Sequence, residues 1–456
     1  MEEIKYKKPS EEMARVKQGD ARLDARLVES VEAMSAKSEA SIIGSCGTYG
    51  AKGFYGLLSN EKFKFNEIQK ASGEATGERI ETSGIEEVLL VQDTMDMNMK
   101  GHEKTAGLGY SSDKTKGIKV HSCLAMAPDG TNLGLASQSY KTRAEAKNEA
   151  SKEEKQRRSI EDKESNRWLE TGREAMKIVP ENVTAIHVCD REGDFYELYA
   201  ETLTLESKFV IRVSQDRATV DGDNTMQQIR RTAACGVADI TIPRDTRKNV
   251  AAQTIEMEIA YCAATIARPK RVTQDAPKQL TLNLVRITEI TLADDPIEWI
   301  LATNMPLENS DDALKIVTFY THRWKIERFH FILKSGCKVE KIQQRSYSRI
   351  LPVLFIYSII AAFILSITYF ARNSPSTPCD SFLSEIEWKT LYRLVNRSPK
   401  PPIRPYSIAS AVAFLGELGS FKHKPSDGDY GVLSVWKGLF RLFDALDTID
   451  RLMGQV

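Results

Sequence analysis

Residues 320–334 read YTHRWKIERFHFILK, and four polar side chains in that stretch decide how the rest is understood. Tyr320, Arg323, Glu327 and Lys334 stand three, four and seven positions apart. At roughly 100° per residue they share one helical stripe about 60° wide. Ile326, Phe329, Ile332 and Leu333 fall on the other side, so the helix packs by its apolar face and presents one carboxylate among cations. Read alone, that carboxylate is more often a solvated ion pair. Two further acids give it another meaning.

Asp93 follows the apolar run VLLVQ at 88–92, and Asp190 follows AIHVC at 185–189. Runs this short and β-branched, ending in a polar residue, read as buried strands. A carboxylate at a rigid strand end that opens to solvent is well placed for chemistry. Either Asp taken singly serves equally as a turn or N-cap residue.

The segments between them indicate an α/β fold. Residues 117–127 (GIKVHSCLAMA) and 133–140 (LGLASQSY) form a strand pair around the turn Pro128-Asp129-Gly130. The charged stretch 145–177 is expected to be a long surface helix, and another helix begins at Phe195. Three strands, a helix, then a strand bearing a second acid is the order of the ribonuclease-H-like fold. There the first and fourth strands lie side by side, and a third acid from a later helix completes the pocket.

With these motifs in view, the chain resembles the DDE transposases of cut-and-paste bacterial insertion sequences. The resembling branch carries Tyr-x2-Arg-x3-Glu-x6-Lys and includes the transposase of the kanamycin-resistance composite transposon. The similarity rests on VQDT around Asp93, VCDREGDFYELY around Asp190 and YTHRWKIERFHFILKSG around Glu327. It extends through GDARLDARLVE near the N-terminus, KESNRW at 163–168, FVIRVS at 209–214 and SVWKGLFRLFDAL near the C-terminus. It thus covers most of the chain.

Three carboxylates suit such chemistry because hard cations prefer oxygen ligands. Two ions about 3.5–4 Å apart clamp the attacking and leaving oxygens of an in-line displacement at phosphorus. Asp93, Asp190 and Glu327 are therefore expected to hold two Mg²⁺, with Mn²⁺ as a substitute. The resemblance implies nicking by water at a transposon end and attack of the freed 3′-hydroxyl on the opposite strand to form a hairpin. A second water then opens the hairpin, and the 3′ ends join target DNA. It also implies phosphate contacts by Tyr320, Arg323 and Lys334, a DNA contact by Arg212 in FVIRVS, a flipped-base pocket at Trp299 and stacking at Trp324. Read from its strand alone, Trp299 is a core aromatic. His322 and His330 fit phosphate contact or packing, and no His or Cys cluster has the spacing of a zinc site.

The chain carries 63 Lys and Arg against 63 Asp and Glu, so globally it shows no bias toward nucleic acid. Locally it does. Residues 315–349 hold nine Lys or Arg and two Glu, a footprint suited to phosphates. The seven cysteines follow no framework spacing, which suggests reduced thiols and a cytoplasmic protein. The N-terminus MEEIKYKKPSEEM lacks the apolar core of a signal peptide. Residues 350–370 are uncharged and long enough to cross a bilayer; their place after the Glu327 helix favours a buried core helix, with no membrane partner.

The expected domains are a helical DNA-binding domain at 1–80, with an amphipathic helix capped after Gly19-Asp20, and a catalytic core at 81–370. A β-rich insertion interrupts the core at about 214–296, and it explains why Glu327 lies so far beyond Asp190. Residues 373–400 read as an interruption before a helical C-terminal region, 371–456 in all. Its stretch 433–453 resembles the family's dimerisation helix, or is a plain surface helix. The partners implied are transposon terminal inverted repeats, target DNA and a second copy of the chain. Two other function classes stay open: a three-carboxylate nuclease without strand transfer, and a non-catalytic DNA-binding inhibitor of transposition.

Overall fold

The computed structural model describes residues 5–37, 41–144, 159–242, 253–272, 275–291, 296–420 and 430–453. Nine strands build one mixed sheet: β1 (Glu87–Asn98), β2 (Gly117–Met126), β3 (Asn132–Lys141), β4 (Thr184–Cys189), β5 (Lys208–Arg212), β6 (Gly236–Ile242), β7 (Gln253–Ala267), β8 (Gln279–Glu289) and β9 (Glu298–Thr303). Their order across the sheet is 3-2-1-4-5-9-8-7-6. β1 and β4 lie side by side and parallel, with Val91 opposite Val188. β2 and β3 continue antiparallel on one side, and β5 runs parallel to β4 on the other.

The expected strand pair forms around Pro128-Asp129-Gly130. Gly130 takes a positive φ of 80°, and the Asp129 carboxylate accepts from the Thr131 amide at 2.8 Å. β1 is longer than its apolar run suggests. Past residue 92 it alternates, with Met95 and Met97 buried and Asp96 and Asn98 exposed, so the strand continues to Asn98. Asp93 is thus a mid-strand residue rather than a strand terminus. Its pairing with β4 nevertheless ends at Val91, which leaves the β4 side of Asp93 open.

The β-rich stretch after residue 214 joins the same sheet. β8 pairs with β9, which pairs with β5, so backbone hydrogen bonds run unbroken from the acid-bearing strands into β6–β8. A second apolar cluster beneath it includes Tyr199, Phe209, Leu282, Leu284 and Ile300. Of the long helix expected over 145–177, residues 145–158 lie outside the described residues. The remainder is shorter than expected: turns, then a helix at Asn166–Met176.

Four N-terminal helices, Pro9–Met13, Ala21–Ala36, Ile42–Leu58 and Phe65–Thr82, pack beside β3. Asp20 caps the second, its carboxylate accepting from the Arg22 amide at 3.0 Å. A buried ion pair of Glu12 and Arg79, 2.7 Å apart, joins the first to the fourth. The apolar helix Tyr347–Asn373 is long and apolar enough to span a bilayer, yet 89% of its apolar window is buried inside the protein. Asn132 of β3 reaches into it, donating to the Ala362 carbonyl and the Ser366 hydroxyl at 3.1 and 2.9 Å. The interruption at 373–400 contains a helix of its own, Glu385–Asn396, because Ser384 and Glu387 form a capping box. Helices Ile408–Leu418 and Val432–Met453 follow.

Candidate active site

The stretch 320–334 is not one helix. A helix ends at Thr321, a turn covers His322 and Arg323, a second helix spans Trp324–Phe331, and a π turn takes Ile332–Gly336. In the π turn the Cys337 amide reaches back five residues to the Ile332 carbonyl at 2.8 Å. The break puts Arg323 at the start of the second helix and Glu327 in its first turn.

The charges of Asp190 and Glu327 nonetheless both act on Asp93. Asp190 follows β4 and caps a short helical turn, its Oδ1 accepting from the Glu192 amide at 2.8 Å. Asp93 Oδ1 accepts from the Thr94 amide at 2.8 Å. Arg323 sits between the sheet and the helix. One terminal nitrogen donates to Glu327 Oε1 at 2.9 Å, and the other lies 3.6 Å from Asp93 Oδ2. Burial pushes the Asp93 carboxyl up to about 7; Arg323 opposes the rise, and the nearby charges of Asp190 and Glu327 add to it. His330 Nδ1 lies 4.0 Å from Asp93 Oδ2. Burial, with Lys334 and Arg323 nearby, lowers that imidazole to about 3, so it is neutral.

The residues expected at DNA divide into two groups. Arg323, Lys334 and Trp324 border the carboxylates. Lys334 is partly exposed and lies 3.7 Å from Glu340. The Arg323 guanidinium lies 5.2 Å from the centre of the Trp324 ring. Tyr320 and Trp299 instead belong to the core, 1% and 4% exposed, with their rings edge to face at 5.4 Å. These are the residues expected to supply a phosphate contact and a base pocket; here Tyr320, from the helix Ser310–Thr321, and Trp299, from β9, pack against each other. Arg212 is half-buried over the Trp299 ring at 5.7 Å, and its Nη2 donates to the Glu298 carbonyl at 3.4 Å.

A second polar layer lies behind the acids, and sequence reasoning missed it. Gln92 bridges His187 and His121 at 3.2 and 3.1 Å. His121 Nδ1 meets Thr94 Oγ1 at 2.9 Å, and Arg167 donates to that same hydroxyl at 2.9 Å. The signal was present: Gln92, His121 and His187 are polar residues inside otherwise apolar strands.

The donor set suits hard cations, being carboxylate oxygen without thiolate. Among the described residues, no three His, Cys, Asp or Glu side chains stand close enough about one point to hold an ion. Arg323 stands between two of the acids, 2.9 Å from Glu327 and 3.6 Å from Asp93. Around it, Arg323 Nε, Trp324 Nε1 and His330 Nε2 are buried without hydrogen-bond partners. The N–H groups of Arg323 and Trp324 are donors and suit an acceptor oxygen, while the three carboxylates suit cations by the chemistry of their oxygens alone.

No protein-family model matches the chain. Among solved structures it is similar to a piggyBac transposase in a synaptic complex with hairpin DNA. The TM-score is 0.36 and the identity 9%, over 81% of this chain and 72% of that one.

Proposed function

We propose that this chain is a DNA transposase of the three-carboxylate, cut-and-paste kind, working on a ribonuclease-H-like core. One observation carries the proposal: Asp93 lies within reach of the charges of both Asp190 and Glu327, in a pocket that also holds Arg323. The strand order 3-2-1-4-5 in one half of the sheet supports the core, and the sequence motifs support the bacterial insertion-sequence branch.

In this scheme Asp93, Asp190 and Glu327 hold two Mg²⁺ or Mn²⁺ ions. When bound, the ions would supply a water of lowered pKa and stabilise the departing 3′-oxygen. Arg323 exchanges its carboxylate partners for a DNA phosphate, where its planar fork binds bidentately, and Lys334 adds a point charge. Water oxygen adds to phosphorus as the 3′-oxygen leaves. The freed 3′-hydroxyl attacks the opposite strand and closes a hairpin as the flanking DNA's 3′-oxygen leaves; a second water opens the hairpin and releases the 3′-hydroxyl, which joins target DNA as a target 3′-oxygen leaves. A homodimer on DNA, formed through helix Val432–Met453 with its exposed Ile449 and Leu452, belongs to the same proposal.

The test is cleavage of a labelled duplex carrying the element's own terminal repeat with Mg²⁺, comparing the unmutated chain with Glu327→Ala. A terminal hairpin that vanishes in the variant is the expected result. Binding without cleavage indicates an inhibitor, and nicking at arbitrary sequence indicates a nuclease; either overturns the proposal.

A further inference from the structure

Asp93 accepts from the residue after it and Asp190 from the residue two places on, and a single guanidinium grips both of those residues. The Thr94 amide donates to Asp93, and the Glu192 amide donates to Asp190, each at 2.8 Å. Arg167, at the start of helix Asn166–Met176, donates through Nε to the Thr94 hydroxyl at 2.9 Å and pairs through Nη2 with the Glu192 carboxylate. Its remaining nitrogen, Nη1, donates to the Glu164 carbonyl at 2.7 Å. The side chain is only 8% exposed, and its own geometry is fixed. The neighbouring Trp168 is fully buried and packs edge to face on His121 at 4.4 Å.

The position of this clamp gives it a purpose. Successive strand side chains point to opposite faces, so Thr94 turns away from the carboxylate pocket and Arg167 acts from behind the sheet. The backbone ladder between β1 and β4 stops at Val91 and Val188, two residues short of each acid. Beyond that point Arg167 links the two chains through side chains.

We propose that Arg167 is a positioning residue for metal loading: it sets the spacing and orientation of Asp93 and Asp190 without touching either. The proposal rests on the three-carboxylate function proposed above. Mg²⁺ demands near-ideal octahedral geometry, and partners that orient metal ligands typically account for about 10–100-fold in affinity. Lysine cannot replace the arginine, because one ammonium cannot span Thr94 and Glu192 as the planar fork does.

The experiment measures Mn²⁺ binding to the full-length chain by calorimetry, beside thermal unfolding, for the unmutated chain, Arg167→Lys, Thr94→Val, Thr94→Ser and Asp93→Asn. Arg167→Lys keeps the charge, and Thr94→Val removes only the gripped hydroxyl, so at least one of them folds. Both are expected to weaken Mn²⁺ binding about tenfold or more, while Thr94→Ser restores it. A structural role alone would lower the unfolding midpoint and leave the affinity of the folded chain unchanged. Affinity equal to the unmutated chain in both Arg167→Lys and Thr94→Val overturns the clamp. If the unmutated chain shows no Mn²⁺ binding that Asp93→Asn removes, the three-carboxylate function falls, and the clamp with it.

Discussion

Arg323 donates to Glu327 at 2.9 Å, four residues further along the chain. Its other terminal nitrogen lies 3.6 Å from Asp93, so the protein supplies its own counter-charge to two of the three acids. Buried acids this close hold their charges only with such compensation. Replacing Arg323 with Gln removes the main influence opposing the rise of Asp93. Proton release from Asp93 then moves to a pH above about 7, read as a carboxyl infrared band absent from the Asp93→Asn chain. Cleavage is expected to fall by roughly 10²–10³-fold, as on removing one electrostatic stabiliser of a reacting oxyanion.

Asp93 also sets the sign of a stability profile. An unfolded Asp releases its proton near pH 4, while burial keeps the folded carboxyl protonated up to about 7. Between those values the folded state binds the extra proton, so this group contributes stability below pH 4 that is lost as pH rises toward 7. Asp93→Asn is therefore expected to raise the thermal midpoint at pH 8 and to change it little at pH 4. Added Mg²⁺ competes with the proton and stabilises the unmutated chain more at pH 8 than at pH 5.

Glu12 and Arg79 carry a second buried charge pair, 8% exposed or less. Arg79 also bonds the Leu133 carbonyl on β3, so the pair fastens the N-terminal helices to the sheet. Arg79→Met leaves an uncompensated carboxylate and is expected to cost about 3–5 kcal/mol in denaturant unfolding. Glu12→Gln combined with Arg79→Met is expected to recover part of that loss.

Trp299 gives a further test, since its ring is packed on Tyr320. Trp299→Ala is expected to cost about 3–5 kcal/mol of stability while the folded fraction keeps its affinity for end DNA. A loss of DNA affinity at unchanged stability would restore the base-pocket expectation.

Much of the architecture could be read from residue pattern. The apolar runs before Asp93 and Asp190 marked two strands that lie together, and Pro-Asp-Gly marked the turn between β2 and β3. Three features could not be read so. The break at His322–Arg323 has no Pro or Gly to announce it. The continuation of β1 to Asn98 was hidden by its polar outward residues. The joining of β6–β8 to the main sheet depends on β9 pairing across residues far apart in sequence, which periodicity does not encode. Tyr320 lies buried inside the helix Ser310–Thr321, which its place on the polar stripe did not announce.

Two of the three acids are fastened into neighbouring backbone: Asp93 lies inside a strand, and Asp190 follows the last residue of another. Glu327 alone stands on a short helix with a turn before it and a π turn after it. The pocket is thus a fixed jaw and a hinged one. The position of the third acid therefore depends on how one short helix packs through Ile326 and Phe329.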